Sequence, residues 1–448
     1  MASSPQSANR ASALAIDPPS EGMLGRDRRA TASLSLFLRL LSLGGKLALT
    51  LYMARMFSLS ELGRYGLAFG GVILAAVVFG FRLEYVISRE ILSFDLQKSR
   101  RVCTAIAVLF LASFALAALP SVVALQWLEG KGELTFPVLV YLLCCIESYA
   151  TFVYAATVSL KRPALANGLF FVRSGLWPVP AIVLSFIWPE LRTANFVLLC
   201  WIAGSTASVI LNVWVMRAHV LTRLSVADLP WAEIRIFIRR AWWMWIGAVA
   251  LALGAYADRF TLASFLTLSD VGVATFYTSF TTAVVYLVQS GTTQVSYPLL
   301  IEHYEARRRV EFRREFVRTA TSAALLGAAF LGGLGIGMPF LAEVIGKPEL
   351  QAAYPAFVVL LVGTWVRINA ETLYFALFVE RRDKSIWVGN LLYLACSLVS
   401  NVLLIRSMGM MGLAIATVIS AGFIAAWRGY HAMSFEGNML GNGKRFVS

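Results

Sequence analysis

The chain has 448 residues, 58% of them hydrophobic and 14% charged, and its mean hydropathy is +0.71. That composition excludes an ordinary soluble globule, and the continuous apolar runs exclude a barrel of alternating transmembrane strands. The formal charge of +14 would suit nucleic acid in a soluble protein, but in a chain this apolar the placement of charge sets topology, and no nucleic-acid partner is expected.

Residues 1–32 are polar, rich in Ser, Ala and Arg, and lack an apolar face, which predicts a disordered cytoplasmic tail. From Leu34 onward, apolar runs of roughly 20 residues recur, each long enough to cross a hydrocarbon core of about 30 Å as a helix. They predict spans at 34–57, 63–83, 102–126, 136–159, 166–188, 194–216, 241–266, 271–296, 319–344, 354–379, 386–406 and 409–431, about twelve in all. The chain is thus expected to be an all-α integral membrane protein. Six helices fill 33–217, a cytoplasmic linker covers 218–240, six more fill 241–431, and a cytoplasmic tail covers 432–448.

An even number of spans puts both termini on one side. With tails and even-numbered loops inside, that side gathers about 28 Lys and Arg against about six outside, which predicts cytoplasmic termini in the cytoplasmic (inner) membrane. Basic clusters there, such as Lys161 with Arg162, Arg307 to Arg309 and Arg381 with Arg382, read as anchors against membrane lipids. Arg55, Arg64 and Arg82, near span ends, read as snorkelling side chains.

The segment Leu59-Ser60-Glu61-Leu62-Gly63 recurs in kind as Leu268-Ser269-Asp270-Val271-Gly272, 209 positions later and six spans on. An even separation gives both copies one orientation, as in parallel halves related by an axis along the membrane normal.

Several polar residues fall inside spans. The first span carries Ser35, Arg39, Ser42, Lys46 and Thr50 on one stripe. Lys46 lies near its middle, where an unpaired charge costs at least ~2.5–3.5 kcal/mol. Either a salt bridge to a neighbouring helix or a water-filled, anion-accepting cavity must solvate it. The eighth span carries Thr275, Ser279, Thr282, Tyr286, Gln289, Thr293 and Ser296 on one face, which predicts a wet lumen whose hydroxyls and amide suit sugar. The tenth carries Arg367 and Glu371 one turn apart, flanked by Thr364 and Tyr374; the pair either neutralises itself or serves a site. Glu147 with Thr151 and Tyr154, Arg173 with Trp177, and adjacent Asp258 and Arg259 lie on three further spans. Should Arg39, Lys46, Arg173, Arg259 and Arg367 converge, the interior is cationic and its natural ligand carries phosphate.

The five cysteines lie in apolar runs without metal-ligand spacing and read as core residues. The three histidines form no cluster and no phosphate-cradling loop for ATP is present, so neither a metal nor a nucleotide cofactor is expected.

Three stretches carry a family resemblance. They are Ala54-Arg55 followed by Leu59-Ser60-Glu61-Leu62-Gly63-Arg64-Tyr65-Gly66; Asp258-Arg259-Phe260 through Asp270-Val271-Gly272 to Tyr297-Pro298-Leu299; and Asn401 to Ile405 followed by Gly409 to Thr417. In these the chain resembles the Wzx-type polysaccharide flippases of the multidrug/oligosaccharidyl-lipid/polysaccharide export superfamily. It departs at Val273-Ala274, where a Tyr commonly follows the Gly. The resemblance implies two six-helix lobes around a central cavity, as in MATE proteins, rocking between inward-open and outward-open states. It also implies a polyprenyl-pyrophosphate-linked oligosaccharide as cargo, other polysaccharide-assembly proteins as partners, and an H+ or Na+ gradient as driving force. On that view Arg39, Lys46, Arg173, Arg259, Arg367, Tyr286 and Gln289 bind cargo, and Glu147, Asp258 and Glu371 are candidates for ion coupling. Two transporter alternatives remain, a peptidoglycan precursor or an amphipathic drug as cargo. A membrane-embedded glycan polymerase or ligase is a third, although the outer loops are short and nearly uncharged.

Overall fold

The computed structural model describes residues 21–81, 96–129, 134–159, 163–220 and 231–441. No strand occurs among them. In chain order the helices are α1 (Glu21–Met56), α2 (Leu59–Gly80), α3 (Leu96–Glu129), α4 (Thr135–Ser159), α5 (Pro163–Phe171), α6 (Pro178–Ile187), α7 (Ala194–Val220), α8 (Trp231–Phe265), α9 (Leu268–Gly291), α10 (Thr293–Glu305), α11 (Arg309–Ile345), α12 (Pro348–Ala352), α13 (Tyr354–Val379) and α14 (Asp383–Gly441). Among the described residues, ten helical segments are long and apolar enough to cross a membrane, and α3 adds a shorter apolar stretch, Thr104–Ala118.

Where it is described, every predicted span falls on helix, and the departures have local causes. Helix α14 holds two spans because its axis breaks at Gly409, whose φ of 57° and ψ of −129° suit glycine and little else. The fifth span is interrupted by a π turn, Val172–Leu176, between α5 and α6. The eighth breaks at Thr292 (φ −120°, ψ −76°), between α9 and α10. Helix α1 starts at Glu21, inside the segment expected to be disordered, and α14 runs to Gly441, into the expected C-terminal tail. Extending a formed helix adds a hydrogen bond for each residue fixed, so helices outrun their apolar cores. Helices α7 and α8 likewise shorten the expected linker to 221–230, which, with 1–20, 442–448, Arg82, Lys161 and Arg162, lies outside the described residues.

The two copies of the repeated segment open α2 and α9 with the same cap. Ser58 Oγ accepts from the Glu61 N–H at 3.3 Å, and Thr267 Oγ1 accepts from the Asp270 N–H at 3.3 Å. The copies also pack on each other reciprocally. A Cβ on Gly63 would stand 2.0 Å from the Leu268 carbonyl oxygen, and one on Gly272 would stand 2.0 Å from that of Leu59. Only a residue without a side chain permits this approach. Residues 209 apart thus exchange one contact, as a two-fold axis between the halves requires.

A cross-strap closes the same end. Lys347, the residue capping α12, donates its ammonium to the Phe57 carbonyl just past α1, a cation at the negative end of a helix. Leu59, Leu62, Val271, Phe276 and Phe357 form the buried core of this seam. Towards the other end, Trp245 of α8 donates to the Val78 carbonyl of α2 at 2.9 Å and stacks on Phe81.

Candidate transport site

In the N-terminal half, one buried carboxylate gathers the polar groups of three elements. Glu147 of α4 is 5% exposed. Arg173, in the π turn, donates to its Oε2 through Nε at 2.8 Å and Nη2 at 2.5 Å, and to its carbonyl at 3.1 Å and Thr151 Oγ1 at 2.8 Å. The other carboxylate oxygen accepts from Trp201 Nε1 at 3.0 Å and from Ser205 Oγ, both on α7. A π turn inserts one residue into the helical repeat and so redirects the side chains beyond it. Gly175 in that turn lets α1 close in, since a Cβ there would meet Ser42 Oγ at 2.7 Å.

This arrangement corrects two expectations. Arg173 is spent on Glu147 rather than offered to cargo, and Glu147 is closed by four donors rather than poised for ion coupling. Each charge offsets the desolvation of the other, and the added hydrogen bonds complete the compensation.

Lys46 of α1 stands beside this cluster and outside it. Its ammonium lies 5.8 Å from the Phe69 ring centroid and 5.9 Å from that of Trp201, which stacks on Trp177. It is partly exposed and makes no ion pair or hydrogen bond among the described residues. Of the two ways to solvate it, the neighbouring carboxylate is already taken. One turn beyond Ser42, Arg39 is exposed and donates to the Tyr154 hydroxyl at 3.2 Å.

The C-terminal half is arranged differently. Arg259 of α8, 5% exposed, crosses to the other half and donates to the Gly66 carbonyl at 3.3 Å and to Thr278 Oγ1 at 3.0 Å. Its guanidinium faces the rings of Phe69 at 5.6 Å and Tyr256 at 5.3 Å. It therefore supplies a fixed positive field between the halves more than a free hand for cargo. Asp258 accepts the Arg259 N–H at 2.8 Å and has no ion pair within 4.0 Å among the described residues.

Arg367 of α13 is half-buried and makes no hydrogen bond or ion pair among the described residues. Tyr256, Tyr286, Tyr393, Glu371 and Asp258 lie within its electrostatic reach. Glu371 does not neutralise Arg367, contrary to one expectation, and it is not free for ion coupling. It pairs at 3.3 Å with Arg428, which is 2% exposed, donates to the Ala370 carbonyl at 3.0 Å and lies over Tyr374.

The polar stripe of the eighth predicted span is also split. Thr275 and Thr293 are each 2% exposed, and Thr275 is pressed on Gly66 in the dry seam between halves. Tyr286 is 53% exposed and Ser279, Thr282, Gln289 and Ser296 are half-buried, so the stripe is dry at Thr275 and Thr293 and more open elsewhere.

Taken from one half to the other, Lys46, Phe69, Arg259 and Tyr256 follow one another as alternating cation and ring, and Arg367 lies within electrostatic reach of Tyr256. At 1.5 Å per residue the three cations lie roughly 10–20 Å from the sealed end, in the middle of a core of about 30 Å. Among the described residues, Arg173 and Arg428 are neutralised by ion pairs, Arg259 and Arg367 lie within electrostatic reach of Asp258, and Lys46 lies within that of Glu147. Sequence reasoning missed Trp201, Ser205, Phe69, Tyr256, Tyr393 and Arg428. Of these only Arg428 carried a signal, a cation one turn inside the last span. No group of three or more His, Cys, Asp or Glu among the described residues could hold a metal ion.

No protein-family model matches the sequence, and no curated protein matches it. Solved structures do. An inward-facing multidrug resistance MATE family transporter of the MOP superfamily gives a TM-score of 0.69 at 15% identity, over 92% of this chain and 100% of its own. The lipid II flippase MurJ, in an inward closed conformation, gives 0.70 at 13% identity, over 89% of this chain and 87% of its own. The MATE transporter VcmN of Vibrio cholerae gives 0.62 at 16% identity, over 94% and 98%. The chain is therefore an all-α, multi-pass membrane protein with the fold shared by the MATE and MurJ transporters.

Proposed function

We propose that this protein is a flippase carrying a polyprenyl-pyrophosphate-linked oligosaccharide across the cytoplasmic membrane by alternating access. One observation carries the reading: three interior cations, Lys46, Arg259 and Arg367, lack a carboxylate partner within ion-pair distance among the described residues. Set against Asp258 alone, they leave an excess of two positive charges, and a pyrophosphate diester brings two negative ones. Lys46, with all three ammonium donors unused, takes the pyrophosphate, and Arg259 adds its field across the Phe69 ring. Tyr286 and Gln289 meet the glycan. The prenyl tail stays in lipid beside the halves.

With the termini cytoplasmic, the glycine seam and the Lys347 strap close the outer end, and the passage is loaded from inside. Opening outward then means parting α2 from α9. Asp258, the interior acid without an ion pair among the described residues, is the candidate for coupling to H+ or Na+. A peptidoglycan precursor remains a second reading, because MurJ is a lipid II flippase of the same fold and that cargo also carries pyrophosphate. An amphipathic drug without an anionic group would leave the cations uncompensated, and a polymerase or ligase would leave the transporter fold unused.

The test is Lys46→Ala in cells that depend on this gene for surface polysaccharide. Loss of the polymer at undiminished membrane abundance supports the proposal; undiminished polymer refutes it.

A further inference from the structure

Helix α8 belongs to both halves. From Trp243 onward it is fastened to α14: Trp243 stacks on Trp387 at 4.9 Å, and Asn390 Nδ2 and Ser397 Oγ donate to the carbonyls of Gly247 and Gly254 at 3.0 and 2.8 Å. Its earlier turns face the other half. Ile238 packs on Ala105 of α3 and on the buried cluster of α3 and α4 that holds Val102, Ile106 and Phe152. Two turns on, Trp245 donates to the Val78 carbonyl at 2.9 Å, and its ring stacks on Phe81 at 5.3 Å with 24° between the planes. Phe81 has φ 47° and ψ 20°, a left-handed conformation that a bulky residue adopts only where its surroundings hold it. Here the Trp245 ring and the α3–α4 cluster hold it.

This clasp has no counterpart on the related edge. Helices α1 and α8 end, and α2 and α9 begin, at one constant offset of 209 positions. At that offset Leu36 stands for Trp245, Leu287 for Val78 and Ser290 for Phe81. An indole donor is therefore missing there. No hydrogen bond joins α1 to α9 among the described residues, and at this level Phe37 is 60% and Tyr286 53% exposed. Val78 lies roughly 28 Å along α2 from Leu59, so the clasp and the glycine seam occupy opposite ends of one helix.

We infer that the Trp245 clasp is the pivot of the conformational cycle: the edge between α2 and α8 far from the seam stays joined in every state, and the halves swing about it as the seam parts and reseals. The inference rests on alternating access and adds where the axis lies. A hinge needs one line of contact that holds and another that breaks. Parting the α2–α8 edge would strand an indole N–H and a helix carbonyl in a water-poor layer, whereas the α1–α9 edge has no such bond to lose.

The test ties the pivot shut and asks whether the seam still opens. Trp245→benzoylphenylalanine is photocross-linked to α2 in the full-length protein in liposomes, with Thr275→Cys as the single cysteine. Thr275 is 2% exposed and pressed on Gly66 while the seam is shut, so its labelling by an impermeant maleimide reports parting. Cross-linked and untreated samples are expected to label within about twofold of each other. Lys347→benzoylphenylalanine, cross-linked beside Phe57 across the seam, should instead cut labelling at least tenfold. Labelling lost on tying Trp245 overturns the inference, because the α2–α8 edge must then part, and leaves alternating access standing. Labelling undiminished by the Lys347 tie also overturns it, because the halves would not be parting at the seam. If Thr275→Cys is never labelled, even untied, the seam does not open, and alternating access falls together with its pivot. Should the Trp245 variant not purify as a folded protein, Ile238→benzoylphenylalanine tied to α3 is read by the same outcomes.

Discussion

The cluster around Glu147 in the N-terminal half and the one around Asp258 and Arg367 in the C-terminal half treat buried charge in opposite ways. Around Glu147 every oxygen is satisfied, by Arg173, Trp201 and Ser205, and the pair braces α4, the π turn and α7. Around Asp258 and Arg367 no such closure exists among the described residues: the carboxylate accepts from backbone N–H and from no side chain, and the guanidinium donates to nothing. A closed buried pair is a strut, because opening it exposes two uncompensated charges. An unclosed one stays available to an arriving anion or cation. Bracing and exchange thus fall to different clusters: Glu147 with Arg173 and Glu371 with Arg428 are closed, whereas Lys46 and the Asp258–Arg367 region stay open among the described residues.

The largest expected effect would break that contrast outright. Glu147→Ala strands Arg173, Trp201 and Ser205 and should destabilise the fold by about 3–5 kcal/mol, read as a lowered unfolding midpoint in detergent. Asp258→Asn should leave that midpoint nearly unchanged while transport falls at least tenfold. A stable, transport-dead Glu147→Gln would move ion coupling into the N-terminal half and undo the comparison.

Smaller but symmetric effects belong to the seam. Gly63→Ala and Gly272→Ala each place a Cβ on the other half's carbonyl oxygen. Each should disfavour the sealed state by about 1–3 kcal/mol, and the two should match because the contacts are reciprocal. Solvent accessibility of a single cysteine placed at Thr275, read by thiol labelling from outside, should rise in both variants. A rise in one only would deny the two-fold relation.

The smallest effect lies outside the membrane. Burial pushes the Glu380 carboxyl up to about 7, even with Arg382 at 3.2 Å. A carboxyl whose folded value exceeds its unfolded one holds its proton more tightly when folded. Its stabilising contribution is full below the unfolded value of 4.5 and is lost as pH rises through about 7. The unfolding midpoint should therefore decline over that window in wild type and decline less in Glu380→Gln.

Much of this architecture was legible in the residues. Apolar runs placed the spans, and the Leu59–Gly63 and Leu268–Gly272 segments announced the repeat whose copies now touch. Lys46 was legible as a charge needing solvation, because its cost is local. The partners were not legible. That Arg173 meets Glu147 depends on a π turn that leaves no periodic trace. Arg428 in the last turn of a span looks like a snorkelling cation until Glu371 is seen beside it. Thr275 and Tyr286 lie on one face of one helix, and only the docking of Gly66 makes the first dry and leaves the second open. Aromatic residues such as Phe69 and Tyr256 are too common in membrane spans to mark a site before their cations are placed.

The most direct test is leaflet transfer by the purified protein in liposomes, followed with a fluorescent prenyl-pyrophosphate oligosaccharide and an impermeant quencher. The account predicts that wild type moves the probe between leaflets and that Lys46→Ala, equally folded and equally inserted, does so at least tenfold more slowly. Transfer at the wild-type rate by Lys46→Ala would contradict it.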